Sequence, residues 1–236
     1  MNAQNQNAHG KTQIRIKIRG VEVPRKTVLY GPNGAGKSLI IRGLLSRIVG
    51  RGYNGGDMAA MVVDVEGSAA SVGKIDEADV AQHGVKIFNR DVVNFSDWGD
   101  AAIVDPEVVS KLSIDVYYDK FYDPDGGWQP LSRLSYGERR RLAIEAALAA
   151  ADVVLIENFE AGLHVDAVVD LVEQIAESDA AVVLETHSGL VLKAAQQRYG
   201  ISAYYVEPIA RLKKIERLDD HELFARELSA WNAIVV

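Results

Sequence analysis

The first residues in this chain that could do chemistry lie in a glycine-rich segment at positions 31–38. The segment reads Gly-Pro-Asn-Gly-Ala-Gly-Lys-Ser and fits the pattern G-x-x-x-x-G-K-[ST] of a phosphate-binding loop. Its glycines let the backbone curve closely, so that N–H groups can point at phosphate oxygens. Lys37 would neutralise the outer phosphates of a nucleotide, and Ser38 would ligate Mg²⁺. The predicted phosphate site comprises Gly31, Pro32, Asn33, Gly34, Ala35, Gly36, Lys37 and Ser38.

A carboxylate follows the most apolar run of the chain. Residues 153–156 are Val-Val-Leu-Ile, and Glu157 comes directly after them. A phosphate-binding loop needs a carboxylate at the end of a neighbouring strand to hold the Mg²⁺ shell, and an unpaired carboxylate at this position would be costly. We therefore predict that Glu157 joins Ser38 as a metal ligand. The plainer alternative is that Glu157 caps the next helix.

Two further motifs lie on either side of Glu157. Residues 134–138, Leu-Ser-Tyr-Gly-Glu, precede a helical pattern, and Ser135 with Glu138 has the spacing of a capping box. On its own this segment predicts only a helix N-cap. Ser135 lies 22 residues before Glu157, however, and His187 follows a second apolar run 30 residues after Glu157. The four elements together resemble the ABC ATPases, whose signature motif is usually written LSGGQ and whose switch residue is a histidine.

The resemblance covers residues 12–218 and favours the soluble branch of SMC, RecF and OLD-like ATPases. Residues 157–164, Glu-Asn-Phe-Glu-Ala-Gly-Leu-His, are similar to the pattern after the second nucleotide motif in that branch. Also typical of this branch are residues 134–138, residues 185–188 and the tail 204–222. Transporter ATPases usually carry an adenine-stacking aromatic residue before the phosphate loop, and no Phe, Trp or Tyr precedes Tyr30.

The resemblance implies an α/β P-loop fold of ABC type. We expect a mostly parallel core sheet, an antiparallel β-subdomain and a smaller helical lobe at about 68–150, all in one domain of residues 12–236 that follows a disordered lead-in, 1–11. Two copies would pack head to tail around two ATP molecules with Mg²⁺, as an ATP-dependent homodimer. The resemblance assigns nucleotide binding to the signature residues Ser135, Tyr136, Gly137 and Glu138, of which Ser135 and Gly137 would contact the γ-phosphate held by the partner's loop.

The resemblance also names the catalytic candidates and shows where this chain departs from the family. The residue after the metal-binding carboxylate is normally the Glu that polarises the attacking water, and here it is Asn158. An amide can hydrogen-bond water but cannot accept its proton, so we expect slow hydrolysis. Glu160 and His187 are further catalytic candidates beside Glu157 and Asn158. Gln82 is the candidate for the glutamine that joins the two lobes.

Hydrophobic periodicity predicts the elements that position these residues. Alternating Ile14, Ile16 and Ile18 predict an antiparallel strand, and further strands are expected at 26–30, 59–66, 85–88, 114–118, 153–156 and 181–184, with a hairpin at 203–206 and 212–218. Helices are expected at 37–49, 74–82, 106–112, 135–151, 163–177, from 188 and at 219–231. Residues 122–130 read as a loop with turn signals. Apolar runs that alternate with helices indicate buried parallel strands.

The composition of the chain excludes or disfavours several classes of protein. The 236 residues carry a formal net charge of −7 and no cysteine, which excludes disulfides, thiolate catalysis and Cys-ligated metals and disfavours a main role in coating nucleic acid. We expect a cytoplasmic protein without membrane insertion, because no apolar stretch approaches the roughly 20 residues of a membrane span. A protein or nucleic acid partner stays open. Arg139, Arg140 and Arg141 read as a solvated helix face, and Trp98, Trp128 and Trp231 as packing residues.

Three functions remain compatible with these motifs. The first is an ATP-gated dimeric ATPase, in DNA maintenance or defence. The second is the nucleotide-binding subunit of a membrane transporter, against which the missing aromatic residue and the pair Leu163-His164 argue. The third is an ATP-dependent scaffold that holds partners together without hydrolysis.

Overall fold

The computed structural model describes residues 14–49, 63–67, 69, 71–76, 86–88, 93–94, 102–103, 106–207 and 215–218. Within them the strands are β1 (Arg15–Ile18), β2 (Val21–Val23), β3 (Lys26–Tyr30), β4 (Val63–Glu66), β5 (Val72–Ile75), β6 (Lys86–Phe88), β7 (Val93–Asn94), β8 (Ala102–Ile103), β9 (Val116–Tyr117), β10 (Lys120–Asp123), β11 (Gly127–Pro130), β12 (Val153–Ile156), β13 (Ala181–Thr186), β14 (Ser202–Tyr205) and β15 (Glu216–Arg217). The helices are α1 (Lys37–Val49), α2 (Pro106–Val109), α3 (Tyr136–Ala150), α4 (Val165–Glu177) and α5 (Gly189–Lys193).

The core of the fold is a mixed sheet in the order β15-β14-β3-β13-β12-β5-β6, counted over the described residues. Its five inner strands, from β14 to β5, are parallel, and β15 and β6 pair antiparallel at the two edges. The carboxyl ends of β3, β13 and β12 therefore meet at one edge of the sheet. The predicted α/β fold with a mostly parallel core sheet is confirmed.

Both faces of this sheet are covered, which explains the continuous apolar runs in its strands. Val153 and Leu155 of β12 share a hydrophobic cluster with α1, whereas Val154 and Ile156 pack into the cluster that contains α3 and α4. All four side chains are buried. The face of α4 that meets the sheet carries Val168, Leu171, Val172 and Ile175, at the predicted helical spacing.

Antiparallel strands form the smaller sheets. β1 pairs with β2 and β4 as its alternating isoleucines predicted, and β11, β10 and β9 form a three-stranded sheet before α3. The predicted loop at 122–130 is wrong in part: the turn is present, and Gly126 N donates to the carbonyl of Asp123 at 3.2 Å, but the flanking residues are strands. Two polar strands with one solvent-facing side are easily mistaken for a loop, because their apolar alternation is weak.

The predicted helix at 74–82 is also wrong at its start. Lys74 is buried in β5, where its ammonium lies 3.8 Å from a carboxylate oxygen of Glu157 and also pairs with Asp76. This pairing allows a charged residue within a core strand, and the residue pattern alone does not show it. β5 falls within the range assigned to the helical lobe, yet it pairs with β12 of the core sheet.

Candidate functional site

The glycine-rich segment forms the turn from β3 to α1, so the strand and the helix fix its two ends. Gly31 and Gly36 have φ angles of 153° and 92°, which L side chains rarely adopt. A Cβ on Gly31 would lie 2.5 Å from the carbonyl oxygen of Val206, directly after β14. The loop is therefore closely packed against the neighbouring strand, and residue 31 must be glycine.

Lys37 is the first residue of α1, and its side chain folds back into the loop. Its ammonium donates to the carbonyl oxygens of Gly31 at 2.9 Å and Pro32 at 3.1 Å, and the residue is buried. Burial lowers the pKa of Lys37, and the carboxylate of Glu185, 4.0 Å away, partly opposes this. A buried cation thus lies inside the loop that the sequence predicts to hold phosphates.

Ser38 contacts a carboxylate that the sequence motifs did not assign to the site. Its hydroxyl donates to Oε2 of Glu185 at 2.8 Å, and Glu185 is almost completely buried near the end of β13. β13 lies between β3 and β12 in the sheet, so its carboxyl end is one strand closer to the phosphate loop than that of β12. A signal was present in the sequence, because Glu185 follows the buried apolar run 181–184 just as Glu157 follows 153–156.

Glu157 has different partners. It follows β12, where Arg42 of α1 donates to its carboxylate at 3.4 Å and Lys74 lies 3.8 Å away. Burial raises the pKa of Glu157, and these two cations only partly offset that effect. Glu185, and not Glu157, is thus the acceptor of the Ser38 hydrogen bond, while Glu157 lies one strand further from the loop.

Of the three other catalytic candidates, Glu160 and His187 are held close together. Glu160 accepts hydrogen bonds from Thr186 Oγ1 at 2.7 Å and from the backbone N–H of His187 at 2.9 Å. The imidazole Nε2 of His187 lies 3.7 Å from Glu185. Asn158 adopts a φ of 47°, a left-handed conformation that Asn tolerates better than most residues. The carboxylates of Glu160 and Glu185 are thus linked through the 186–187 backbone and His187.

The predicted signature segment caps α3. Ser135 is its N-cap: Glu138 N donates to the Ser135 hydroxyl at 3.3 Å, and Ser135 N donates to the Glu138 carboxylate at 2.8 Å, which together form a capping box. A Cβ on Gly137 would overlap the carbonyl oxygen of Gly162, and the ring of Tyr136 fills the space where Gly162 would carry one. The start of α3 therefore packs directly on the loop that connects β12 to α4.

Arg140 of α3 also stabilises the contact between α3 and the loop that connects β12 to α4. The guanidinium is completely buried and donates to the carbonyl oxygens of Glu157 at 2.6 Å and Asn158 at 2.7 Å. The prediction that residues 139–141 form a solvated face is therefore wrong for Arg140, because the backbone carbonyls of this left-handed turn need a buried donor. Arg141 pairs with Glu145 at 2.8 Å and with Asp170 at 3.4 Å.

Comparison with protein families identifies this architecture. Residues 50–193 match the family described as "AAA domain, putative AbiEii toxin, Type IV TA system". The chain belongs to this AAA domain family. The match spans more than half of the chain and agrees with the predicted resemblance to the ABC-type ATPases. No curated protein matches the chain.

Solved structures similar to this AAA domain include transporter and SMC proteins. One is cbiO1 from Clostridium perfringens, part of the ABC transporter complex cbiONQ, with 15% identity and a TM-score of 0.49 over 84% of this chain and 85% of that one. Another is the SMC head domain from Thermotoga maritima, with 13% identity and a TM-score of 0.45 over 81% and 92% of the two chains. A third, an SmcHead bound to the C-winged helix domain of ScpA, has 11% identity and a TM-score of 0.49 over 86% and 96%.

Some predictions concern residues that the structure does not describe. Gln82, Trp98, Trp231, the lead-in 1–11 and the helix at 219–231 lie outside the described residues. Within the described part of the chain, no helix is both long and apolar enough to span a membrane.

Proposed function

We propose that this AAA domain binds ATP with Mg²⁺ at its phosphate loop, hydrolyses it slowly, and dimerises head to tail when ATP is bound. The observation that carries the proposal is the convergence of Lys37, Ser38 and Glu185 at the carboxyl ends of β3 and β13. A buried ammonium, a hydroxyl and a carboxylate in this arrangement fit a nucleotide phosphate with its metal ion better than any other ligand class.

The residues present fit Mg²⁺. The Ser38 hydroxyl donates its proton to Glu185, which leaves its oxygen lone pairs available to a cation. Mg²⁺ usually takes one or two protein ligands together with phosphates and waters, and when bound it would neutralise charge on the outer phosphates. Glu185 would hold Ser38 in the ligating orientation, Lys37 would turn from the loop carbonyls to the phosphates, and the loop amides would bind phosphate oxygens. Glu157 remains a candidate for the outer shell of the metal ion.

Hydrolysis would depend on the residues that follow β12 and β13. Asn158 can orient water without accepting its proton, and Glu160 is the nearest alternative acceptor in the same loop, held by Thr186 and His187. General-base catalysis typically contributes about 10²–10⁴-fold to a rate, so the rate with Asn158 in place of a carboxylate should fall by about that factor. His187, about one-third exposed, would contact the γ-phosphate.

Dimerisation would use the start of α3. Ser135 is exposed at the N-terminus of a 15-residue helix, where the backbone amides favour an anion. In the proposed dimer Ser135 and Gly137 contact the γ-phosphate bound by the partner's loop. Since Tyr136 and Gly137 pack on Gly162, movement of this segment would also displace the loop that carries Asn158 and Glu160.

Light scattering with and without ATP tests the dimer. ATP with Mg²⁺ should double the mass of the wild type, whereas Ser135→Arg should stay monomeric because bulk and positive charge replace the hydroxyl at the phosphate contact. Ser110→Arg is the matched control, since Ser110 is exposed beside α2 and outside the signature segment. Equal masses for Ser135→Arg and wild type with ATP present would contradict the head-to-tail arrangement.

Two other functions stay as alternatives with separate tests. A transporter subunit would need a membrane-embedded partner, and the exposed His164, which caps α4 after Leu163, argues against this function. A scaffold without turnover would show ATP-dependent dimers but release no phosphate. Among the roles open to a dimeric ATPase, the family description refers to a putative toxin of a type IV toxin–antitoxin system, which favours defence over DNA maintenance.

A further inference from the structure

An exposed aromatic surface lies on the sheet β9–β10–β11, outside the proposed nucleotide site. Four aromatic side chains form it, and we call it the aromatic face: Tyr117 is 63% exposed, Tyr118 54%, Tyr122 45% and Trp128 50%. Trp128 is thus a half-exposed surface residue, and the prediction that it is a packing residue is wrong. Exposed clusters of large aromatic residues mark interaction sites more often than chance, because their burial against a partner releases water.

The two sides of the sheet β9–β10–β11 differ in burial. Val116 is buried and Phe121 is packed against the core cluster around α3, so one side is fixed to the domain. The strand period of two then directs Tyr117, Tyr122 and Trp128 to the opposite side. The aromatic residues are therefore presented to solvent by a rigid support, and do not belong to an unfinished core.

The rings contact one another edge to face and form one continuous aromatic surface. Tyr122 and Trp128 lie directly opposite each other on β10 and β11, with ring centroids 5.6 Å apart and planes inclined at 70°. Tyr117 lies 6.0 Å from Trp128 at 60°, and its ring meets Tyr118 at 4.7 Å and 86°. Because the rings touch by their edges and are about half exposed, their faces stay open to solvent, and a rigid aliphatic ring can pack on them.

Charge around the aromatic face is mainly negative. Residues 115–130 contain four aspartates and one lysine, Lys120. Asp115 precedes β9, Asp119 joins β9 to β10, and Asp125 lies in the β10–β11 turn, so carboxylates lie at both ends of the strands, whereas Asp123 lies on the same side as Phe121. Asp115 and Asp125 are exposed. The surface therefore favours a cationic partner and disfavours phosphates.

We infer that the aromatic face binds an extended, proline-rich peptide segment of a partner protein that carries arginine or lysine residues. Such segments adopt the polyproline II conformation without internal hydrogen bonds, and their rings dock into aromatic-lined grooves. The free peptide carbonyls can accept hydrogen bonds from the Tyr hydroxyls, the Trp128 indole and Lys120. The flanking aspartates would pair with the basic side chains of the segment.

The same charges disfavour the two main alternative occupants. A single-stranded nucleic acid could stack its bases on Tyr122 and Trp128, but its phosphates would meet the flanking aspartates. A second copy of this chain placed face to face would bring the same carboxylates together. Of these three occupants, only the cationic peptide can both pack on the aromatic rings and pair with the flanking carboxylates.

Fluorescence anisotropy with labelled peptides tests the inference on the full chain without nucleotide. A peptide of Arg-Pro-Pro repeats should bind about tenfold or more tightly than peptides of Arg-Gly-Gly or Glu-Pro-Pro repeats. The first control keeps the charge and removes the proline rings, and the second keeps the rings and reverses the charge. An oligothymidylate probe in the same assay tests the nucleic acid alternative.

Variants assign the binding to the aromatic face. Trp128→Ala should weaken binding of the Arg-Pro-Pro peptide by about tenfold or more, because central aromatic residues carry most of an interface's affinity. Asp115→Asn combined with Asp125→Asn should weaken it and reduce its salt dependence. Asp179→Asn is the matched control at an exposed aspartate after α4, and thermal unfolding of each variant checks its fold.

Three outcomes would overturn the inference. They are equal binding of the three peptides, preferential binding of oligothymidylate that Trp128→Ala removes, and concentration-dependent self-association that Trp128→Ala removes. Because the assay contains no nucleotide, each outcome can be distinguished from a failure of the proposed ATP site, which would leave peptide binding unchanged.

Discussion

Three glutamates follow or end the inner strands of the sheet, and each has a different kind of partner. Glu185 accepts a hydrogen bond from the Ser38 hydroxyl, Glu160 accepts two from residues 186–187, and Glu157 is paired with Arg42 and Lys74. Their partners suggest separate tasks. Glu185 faces the phosphate loop, Glu160 faces the end of β13, and Glu157 balances the buried cation of β5.

The first prediction at this scale concerns which carboxylate serves the metal ion. Glu185→Gln keeps the side-chain shape but removes the charge beside Ser38, so affinity for ATP with Mg²⁺ should fall by about tenfold, or about 1.4 kcal/mol. Glu157→Gln is the matched variant and should change this affinity much less. Calorimetric titration with ATP in Mg²⁺ and in a chelator measures both. A larger loss in Glu157→Gln than in Glu185→Gln would favour the metal ligand predicted from the sequence instead.

A second prediction concerns the hydrolysis rate. Replacing Asn158 by Asp or Glu supplies a proton acceptor and should raise phosphate release about tenfold or more, whereas Glu160→Gln should lower the wild-type rate. Because Asn158 has a φ of 47°, Asp is the better replacement, and Glu carries a left-handed backbone cost of about 1–2 kcal/mol. Fast wild-type turnover that none of these changes affects would place the catalytic base elsewhere.

At the scale of elements, the loop between β12 and α4 is held between three parts of the fold. Phe159 N donates to the carbonyl of Glu185 on β13 at 2.8 Å, Arg140 of α3 donates to the carbonyls of residues 157 and 158, and Tyr136 packs on Gly162. The first turns of helix α3 thus contact both the signature segment and this loop. They connect the proposed dimer contact with the loop that carries the proposed catalytic residues Asn158 and Glu160.

The close packing at Gly137 predicts that one added methyl group at this position destabilises the protein. Gly137→Ala puts a Cβ against the carbonyl oxygen of Gly162, and the α3 backbone must shift. We expect the free energy of unfolding to fall by about 1–3 kcal/mol, measured by urea denaturation. Gly126→Ala is the matched control, because its Cβ would meet only the flexible ends of Gln129 and Asp123, at 3.1 and 3.2 Å. Equal stabilities for the two variants would contradict the close contact.

Some of these elements could be predicted from the sequence, and others could not. The phosphate loop, the apolar strands β12 and β13 and helices α1, α3 and α4 could be predicted, because local spacing and burial determine them. Glu185 was missed because its role depends on strand order: only the sheet shows that β13 lies between β3 and β12. The buried state of Arg140 likewise depends on a turn that lies 18 residues away in sequence.

In the whole molecule, the proposed nucleotide-binding residues and the aromatic face include segments that are close in sequence, but the two surfaces differ in charge and exposure. Strand β11, which carries Trp128 of the aromatic face, ends at Pro130, and residues 131–134 lead directly to Ser135 and the signature segment. The proposed nucleotide site contains buried charges at the end of β13 and the start of α1, whereas the aromatic face is exposed and flanked by aspartates. A chain with net charge −7 would therefore combine the proposed anion site with a surface suited to cations.

We propose above that the loop at residues 31–38 binds ATP with Mg²⁺ through Lys37. Isothermal titration of ATP with Mg²⁺ into the wild type and Lys37→Ala measures this role of Lys37, with Lys111→Ala as the control at an exposed lysine. We predict saturable binding by the wild type and Lys111→Ala and no measurable binding by Lys37→Ala, because the buried ammonium that faces the phosphates is gone. Unchanged affinity in Lys37→Ala would contradict the claim.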